Sequence, residues 1–251
     1  MRSLHSGRGY RYLPAVEQYS AGVCADESHE LRRVQLDALL PLEVGFEQIA
    51  AALARRDLPM SALCAVELRS PTAMSEPEFE AFNLGYRAEL GRRGLLIGDD
   101  NPIARTNVCP LDDAPPIASV HAFTYVVSRK QRTEASFVVS GSAEAPEGTT
   151  SYADSAVAFG DTTEQGLCAK AEWVLGEIES RMAALGQDWS RCSQANVHTR
   201  YGGSQVDNLI ASRVGAGPST TWWRTTPPVV GLDFEMDCRS TAHEVLTQET
   251  A

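Results

Sequence analysis

Apolar and polar positions along this chain fall into two recurring periods. Phe46, Ile49, Ala50 and Leu53 recur at the i, i+3, i+4 and i+7 positions, which predicts a helix over Pro41–Arg55 with one buried face. Ala62, Cys64, Val66 and Leu68 alternate with Leu63, Ala65 and Glu67, the period of a strand. Glu78–Leu90 reads as helix again, with Phe79, Phe82, Tyr86 and Leu90 on one side, and Val120–Val127 as a strand behind the Pro/Asp-rich turn segment Pro110–Pro116. Ahead of these, Gln18–Val23 reads as a short strand, followed by a second apolar-polar stretch from His29 to Leu39.

The second half replays that order. Phe137–Ser142 reads as a strand, Leu175, Ile178, Met182 and Leu185 mark a helix, Ala195–Thr199 a strand, Gln205–Arg213 a shorter helix, and Val229–Arg239 a closing strand. Each half is strand, strand, helix, strand, helix, strand, although the second strand of the later copy is poorly marked. A sheet with one apolar face must cover it, so the pattern predicts an α+β protein in which an antiparallel or mixed sheet carries both helices on one face. The polar run Ser128–Thr133 is the joint, giving tandem units 1–130 and 131–251. The long Gly/Ser/Thr/Ala-rich loop from Ala143 to Ala158 reads equally as a functional loop or a surface excursion.

Charge narrows the partners. The chain has 251 residues with 22 Lys+Arg against 33 Asp+Glu, a balance of −11, which opposes nucleic acid and anionic lipid. No apolar run is long enough to span a membrane, and Arg2, Arg8 and Arg11 near the start have no apolar segment behind them, so neither a membrane nor an export signal is expected. The cysteines stand singly without a C-x-x-C pair, which predicts reduced thiols and a cytoplasmic location. The histidines show no zinc spacing, and Gly7-Arg8-Gly9 and Gly202-Gly203-Ser204 lack the parts of a nucleotide loop. No metal or cofactor is therefore expected.

Three stretches carry a resemblance: Phe137-Val-Val-Ser-Gly141, Gly160-Asp-Thr-Thr-Glu-Gln165 leading into a helix, and Pro102-Ile-Ala-Arg-Thr106 after the helix with Asn83 and Tyr86. In order and spacing the chain resembles two tandem copies of the RidA/YjgF family of enamine and imine deaminases. The resemblance implies chorismate-mutase-like α+β units, assembly as homotrimers, and ligand clefts between neighbouring subunits. It assigns to Arg105 the grip on a substrate carboxylate, a task that suits the planar guanidinium fork. It assigns to Glu235 in the closing strand the ordering of the attacking water. Alternation places Asp233, Glu235, Asp237 and Arg239 on one face, where crowded carboxylates raise a pKa, although an ordinary wet sheet face has the same look. The matching positions near Pro218-Ser219-Thr220 lack an arginine in register, with Arg224 a few residues later, and Ser119-Val120-His121-Ala122 lacks the glutamate. One composite or degenerate site follows, not two.

Further candidates for substrate contact are Tyr19 and Ser20 beside Gly22, Ser140 beside Gly141, Asn83, Cys109 and Arg224. Tyr86 shares an apolar stripe and reads as core, and Trp222-Trp223 as subunit interface. The leading expectation is a hydrolytic deaminase acting on a small carboxylate-bearing enamine or imine, of the 2-aminoacrylate or 2-aminomuconate type. Two alternatives stand beside it. The later portion also resembles chorismatases, which hydrolyse an enol ether, although Pro228 stands where that family has a cysteine. The other is a RidA-like protein that binds a small ligand without turnover.

Overall fold

The computed structural model describes residues 1–129, 135–149 and 151–246. Three short strands open the chain: β1 (Leu4–His5), β2 (Tyr10–Leu13) and β3 (Gly22–Ala25). A first run follows, β4 (His29–Pro41), α1 (Leu42–Ala54), β5 (Leu63–Arg69), α2 (Glu76–Arg92), β6 (Ala104–Pro110) and β7 (Ser119–Ser128). The second run is β8 (Phe137–Ala143), the single turn α3 (Tyr152–Ser155), α4 (Glu164–Ala184), β9 (Gln194–Thr199), α5 (Ser204–Val214), β10 (Ser219–Thr226) and β11 (Phe234–Ser240), before β12 (His243–Leu246).

All these strands join one mixed sheet in the order β1-β2-β3-β8-β11-β9-β10-β6-β5-β7-β4-β12. The repeat is visible in it. Strands β4-β7-β5-β6 and β8-β11-β9-β10 follow the same order, with two antiparallel pairings and then a parallel one. Helices intervene at the same places. The halves meet where β10 and β6 pair antiparallel through Thr225–Pro110 and Thr226–Cys109.

Two details differ from the sequence reading. The segment read as the first strand of the first half, Gln18–Val23, is displaced to β3 and pairs with β8 of the second half, Val23 opposite Val138. The true counterpart of β8 is β4, so no second strand is missing from the later copy. In exchange, β12 lies parallel to β4, Val245 opposite Val34. Strands β6 and β10 carry no apolar alternation: β6 is buried on both faces, and β10 is largely exposed and rich in Thr and Trp. Residues 130–133 of the expected joint lie outside the described residues.

Two apolar cores follow from the two helix layers. Phe46, Ile49 and Leu53 of α1 and Tyr86 and Leu90 of α2 pack with Val34, Leu63, Val120 and Phe123. Val174, Leu175, Ile178 and Met182 of α4 and Val206 and Ile210 of α5 pack with Phe137, Val139, Val197, Phe234 and Met236. Each such side chain, fully buried, contributes about 1.5–3 kcal/mol. Because Phe234, Met236 and Cys238 face α4, alternation sends Glu235, Asp237 and Arg239 to the opposite face. Asp233 departs from the expected face: it precedes β11 and ion-pairs with the buried Lys170 of α4.

Candidate active site

A cavity of about 590 Å³ opens between α2, β6, the end of β8 and the start of β11. Helix α2 supplies Glu76, Phe79, Glu80 and Asn83, the i, i+3, i+4 and i+7 positions of one face. Its start is fixed by the Ser75 backbone N–H, which donates to the Glu78 carboxylate at 2.8 Å. Strand β6 adds Arg105 and Asn107, β8 adds Gly141 and Ser142, β11 adds Glu235, and the β2–β3 connection adds Gln18 and Tyr19. Arg105 of the first repeat and Glu235 of the second thus line one cavity within a single chain.

Arg105 is 4% exposed, and its Nη1 donates to Asn83 Oδ1 at 2.8 Å. Rings surround the guanidinium: Tyr19 at 4.7 Å, Tyr86 at 5.0 Å, Phe82 at 5.8 Å and Phe79 at 6.0 Å from its central carbon. Among the described residues no carboxylate stands within ion-pair distance. A buried cation held only by π faces and one amide oxygen has unspent donors and a strong field for an anion. Two other acids of the cavity wall are engaged elsewhere. Glu147 takes Arg181 at 2.8 Å and the Tyr19 hydroxyl at 3.0 Å, and Glu76 accepts the Tyr152 N–H at 2.7 Å.

Glu235 is 5% exposed, and burial, followed by the nearby negative charge of Asp237, holds its carboxyl well above the usual carboxylate range. Arg105 pulls the other way without overcoming this. Asp237 itself stays engaged with His198 Nε2 at 2.9 Å and Asn196 Nδ2 at 2.7 Å. The entry to β11 is anchored by the fully buried Glu144, which accepts the N–H groups of Asp233 at 2.6 Å and Phe234 at 3.1 Å. The Glu235 carboxyl lies over Gly141, where a β-carbon would collide with its Oε1.

The remaining sequence candidates separate. Tyr19 and Asn83 line the cavity with Arg105 and Glu235. Ser140 does not: fully buried, it donates to Ser20 O at 2.6 Å and accepts the Arg105 N–H at 3.0 Å, a strut behind the arginine's backbone. Ser20 is buried beside it, its N–H bonded to Ile103 O at 2.9 Å. Cys109 is buried beyond the lining, its thiol pushed up to about 12 by burial and then by Glu235. Arg224 is exposed on β10 and ion-pairs with Asp112 at 3.1 Å, away from the cavity. Tyr86 packs in the core as read, yet its ring also faces Arg105.

Sequence reasoning passed over Asn107 and Glu147. Asn107 stands two residues beyond Arg105, on the same strand face, and would have followed had β6 shown alternation. Among the described residues no group of three or more His, Cys, Asp or Glu side chains is gathered as a metal site, and no helix is long and apolar enough to cross a membrane.

Comparison with known proteins adds to this geometry. A chorismatase crystal structure superposes with a TM-score of 0.54, covering 88% of this chain and 77% of that one at 11% identity, a likeness of fold alone. The YjgF gene product of E. coli overlaps 43% of this chain and 80% of its own length at 12% identity, with a TM-score of only 0.30. The 2-amino-5-chloromuconate deaminase of Comamonas testosteroni is 38% identical over 240 residues, 95% of this chain and 96% of that protein. The family model described as 2-aminomuconate deaminase CnbZ matches residues 3–245. With a match spanning nearly the whole chain, this protein belongs to the CnbZ family of 2-aminomuconate deaminases.

Proposed function

We propose that this chain releases ammonia from a 2-aminomuconate-type enamine in the cavity between α2, β6 and β11, with Arg105 as carboxylate anchor and Glu235 as acid and base. One observation carries the assignment: a buried arginine without an acidic partner among the described residues shares a cavity with a buried carboxyl whose pKa is raised.

The steps follow from those two states. Arg105 takes the carboxylate beside the amino-bearing carbon in a forked hydrogen bond, and the rings of Tyr19 and Phe79 bound the planar substrate. Glu235, neutral at rest, donates its proton to the enamine carbon, and the amino-bearing carbon becomes an electrophilic iminium. The resulting carboxylate takes a proton from water as the oxygen bonds to that carbon. Glu235 then returns the proton to nitrogen, the C–N bond breaks, and ammonia leaves. The carbinol O–H gives its proton to the carboxylate as the carbonyl forms, which restores neutral Glu235. The balance is enamine plus water to 2-oxo acid plus ammonia.

Ammonia release from freshly generated 2-aminomuconate tests the reading. Wild type is expected to release one ammonia per substrate, and Arg105→Ala to lose at least about 100-fold in kcat/KM. Full activity in Arg105→Ala would overturn the anchor. The chorismatase likeness carries the fold and not enol-ether hydrolysis, and ligand binding without turnover lacks the family's support. We retain the two tandem units 1–130 and 131–251, with their terminal strands exchanged, and homotrimer assembly as proposals, the latter tested by light scattering. The free cysteines among the described residues fit a reducing, cytoplasmic setting.

A further inference from the structure

Asn107 is an unexplained group in this cavity. It is 4% exposed, its Oδ1 accepts the Ser70 hydroxyl at 2.9 Å, and its Nδ2 has no hydrogen-bond partner among the described residues. Buried amide donors left unpaired are costly and therefore uncommon. The Ser70 hydroxyl, itself fully buried, holds the amide through its Oδ1, which leaves Nδ2 as the unspent donor of a residue that lines the cavity.

We propose that Asn107 binds the second carboxylate of a dicarboxylic substrate, so that Arg105 and Asn107 grip the two ends of one diacid. The inference rests on the reading of Arg105 as anchor for the first carboxylate. Residues two apart on a strand face the same way and stand roughly 6.6 Å apart. The carboxyl carbons of an extended six-carbon conjugated diacid are separated by roughly 6–7 Å at ordinary bond lengths. Glu235 lines the same cavity as both residues. A carbon flanked by the two carboxylates would lie where Glu235 can reach it. A neutral donor also suits its place: Glu76 and Glu147 share the wall, and the amide adds a contact to an anion without disturbing their partners.

The test compares 2-aminomuconate with 2-aminoacrylate, an enamine with one carboxylate, both generated in the assay, for wild type and Asn107→Leu. The preference for the diacid, as the ratio of the two kcat/KM values, is expected to fall roughly 10- to 100-fold, carried by KM for 2-aminomuconate. An unchanged ratio, or a loss in kcat shared by both substrates, would overturn the proposal. Asn107→Asp keeps the size and serves should the leucine variant fail to fold. It is expected to lower the same ratio further through like-charge repulsion, and an undiminished ratio counts against the subsite. Failure of the underlying reading looks different: Arg105→Ala would then leave both substrates turning over.

Discussion

The Glu235 carboxyl occupies the space that a side chain at Gly141 would fill, so the second repeat's acid and the glycine of its neighbouring strand are one fitted pair. The pairing of β8 with β11 brings them together, Glu235 lying opposite Ala143 in register. Gly141→Ala should push Glu235 off its position while the buried sheet holds. Expected is a fall in kcat of roughly 10- to 100-fold, the scale of a displaced acid-base group, with a small change in KM. Steady-state kinetics beside a thermal melt check this.

Glu235 also makes stability depend on pH in a definite direction. Its folded pKa lies above the unfolded value of about 4.5. The folded state therefore binds the extra proton, and this contribution is complete below the ordinary carboxylate range and lost as the pH rises through the raised value. Glu235→Gln removes the titration. The variant should gain in melting temperature relative to wild type as the pH rises above about 5, and the gain should vanish near pH 4. A pH series of melts for both proteins reads this out, and parallel curves would contradict a neutral buried Glu235.

Asp237 is the leading charged group that raises Glu235. If the resting acid is neutral Glu235, activity declines on the alkaline side as that carboxyl ionises. Asp237→Asn removes the neighbouring charge while an amide fills its place beside Asn196 and His198. The alkaline limb of kcat/KM should then move to lower pH, and a limb that stays in place would separate Asp237 from the proton inventory of the site.

Much of this arrangement was legible in sequence, for physical reasons. Helices α1, α2 and α4 bury one stripe each, so their periodicity survives in the residues, and β11 alternates because one face meets α4 and the other carries the polar Glu235, Asp237 and Arg239. Strand β6 was read only as a motif around Arg105, because burial on both faces erases alternation, and Asn107 was lost with it. The first-strand error at Gln18–Val23 has a different cause: pairing of β3 with β8 is a long-range choice that no local pattern encodes. Ser140 beside Gly141 was read as a candidate for substrate contact, and the pair divides: the serine braces backbone and the glycine makes room for Glu235.

That division is itself testable. Ser140→Ala leaves the Arg105 N–H without its acceptor and should cost about 1–3 kcal/mol of stability in denaturant melts. KM should change by less than about 3-fold, well short of the tenfold that loss of one direct substrate hydrogen bond brings. A KM increase without loss of stability would return Ser140 to the substrate's side.

The most direct test of the account separates binding at Arg105 from turnover at Glu235. Titration calorimetry with muconate, an unreactive diacid, paired with ammonia release from 2-aminomuconate, does so for Arg105→Ala and Glu235→Gln. The account predicts that Glu235→Gln binds muconate like wild type and loses roughly 100- to 10,000-fold in turnover, while Arg105→Ala loses the binding itself. Wild-type ammonia release from Glu235→Gln, or undiminished muconate binding by Arg105→Ala, would contradict it.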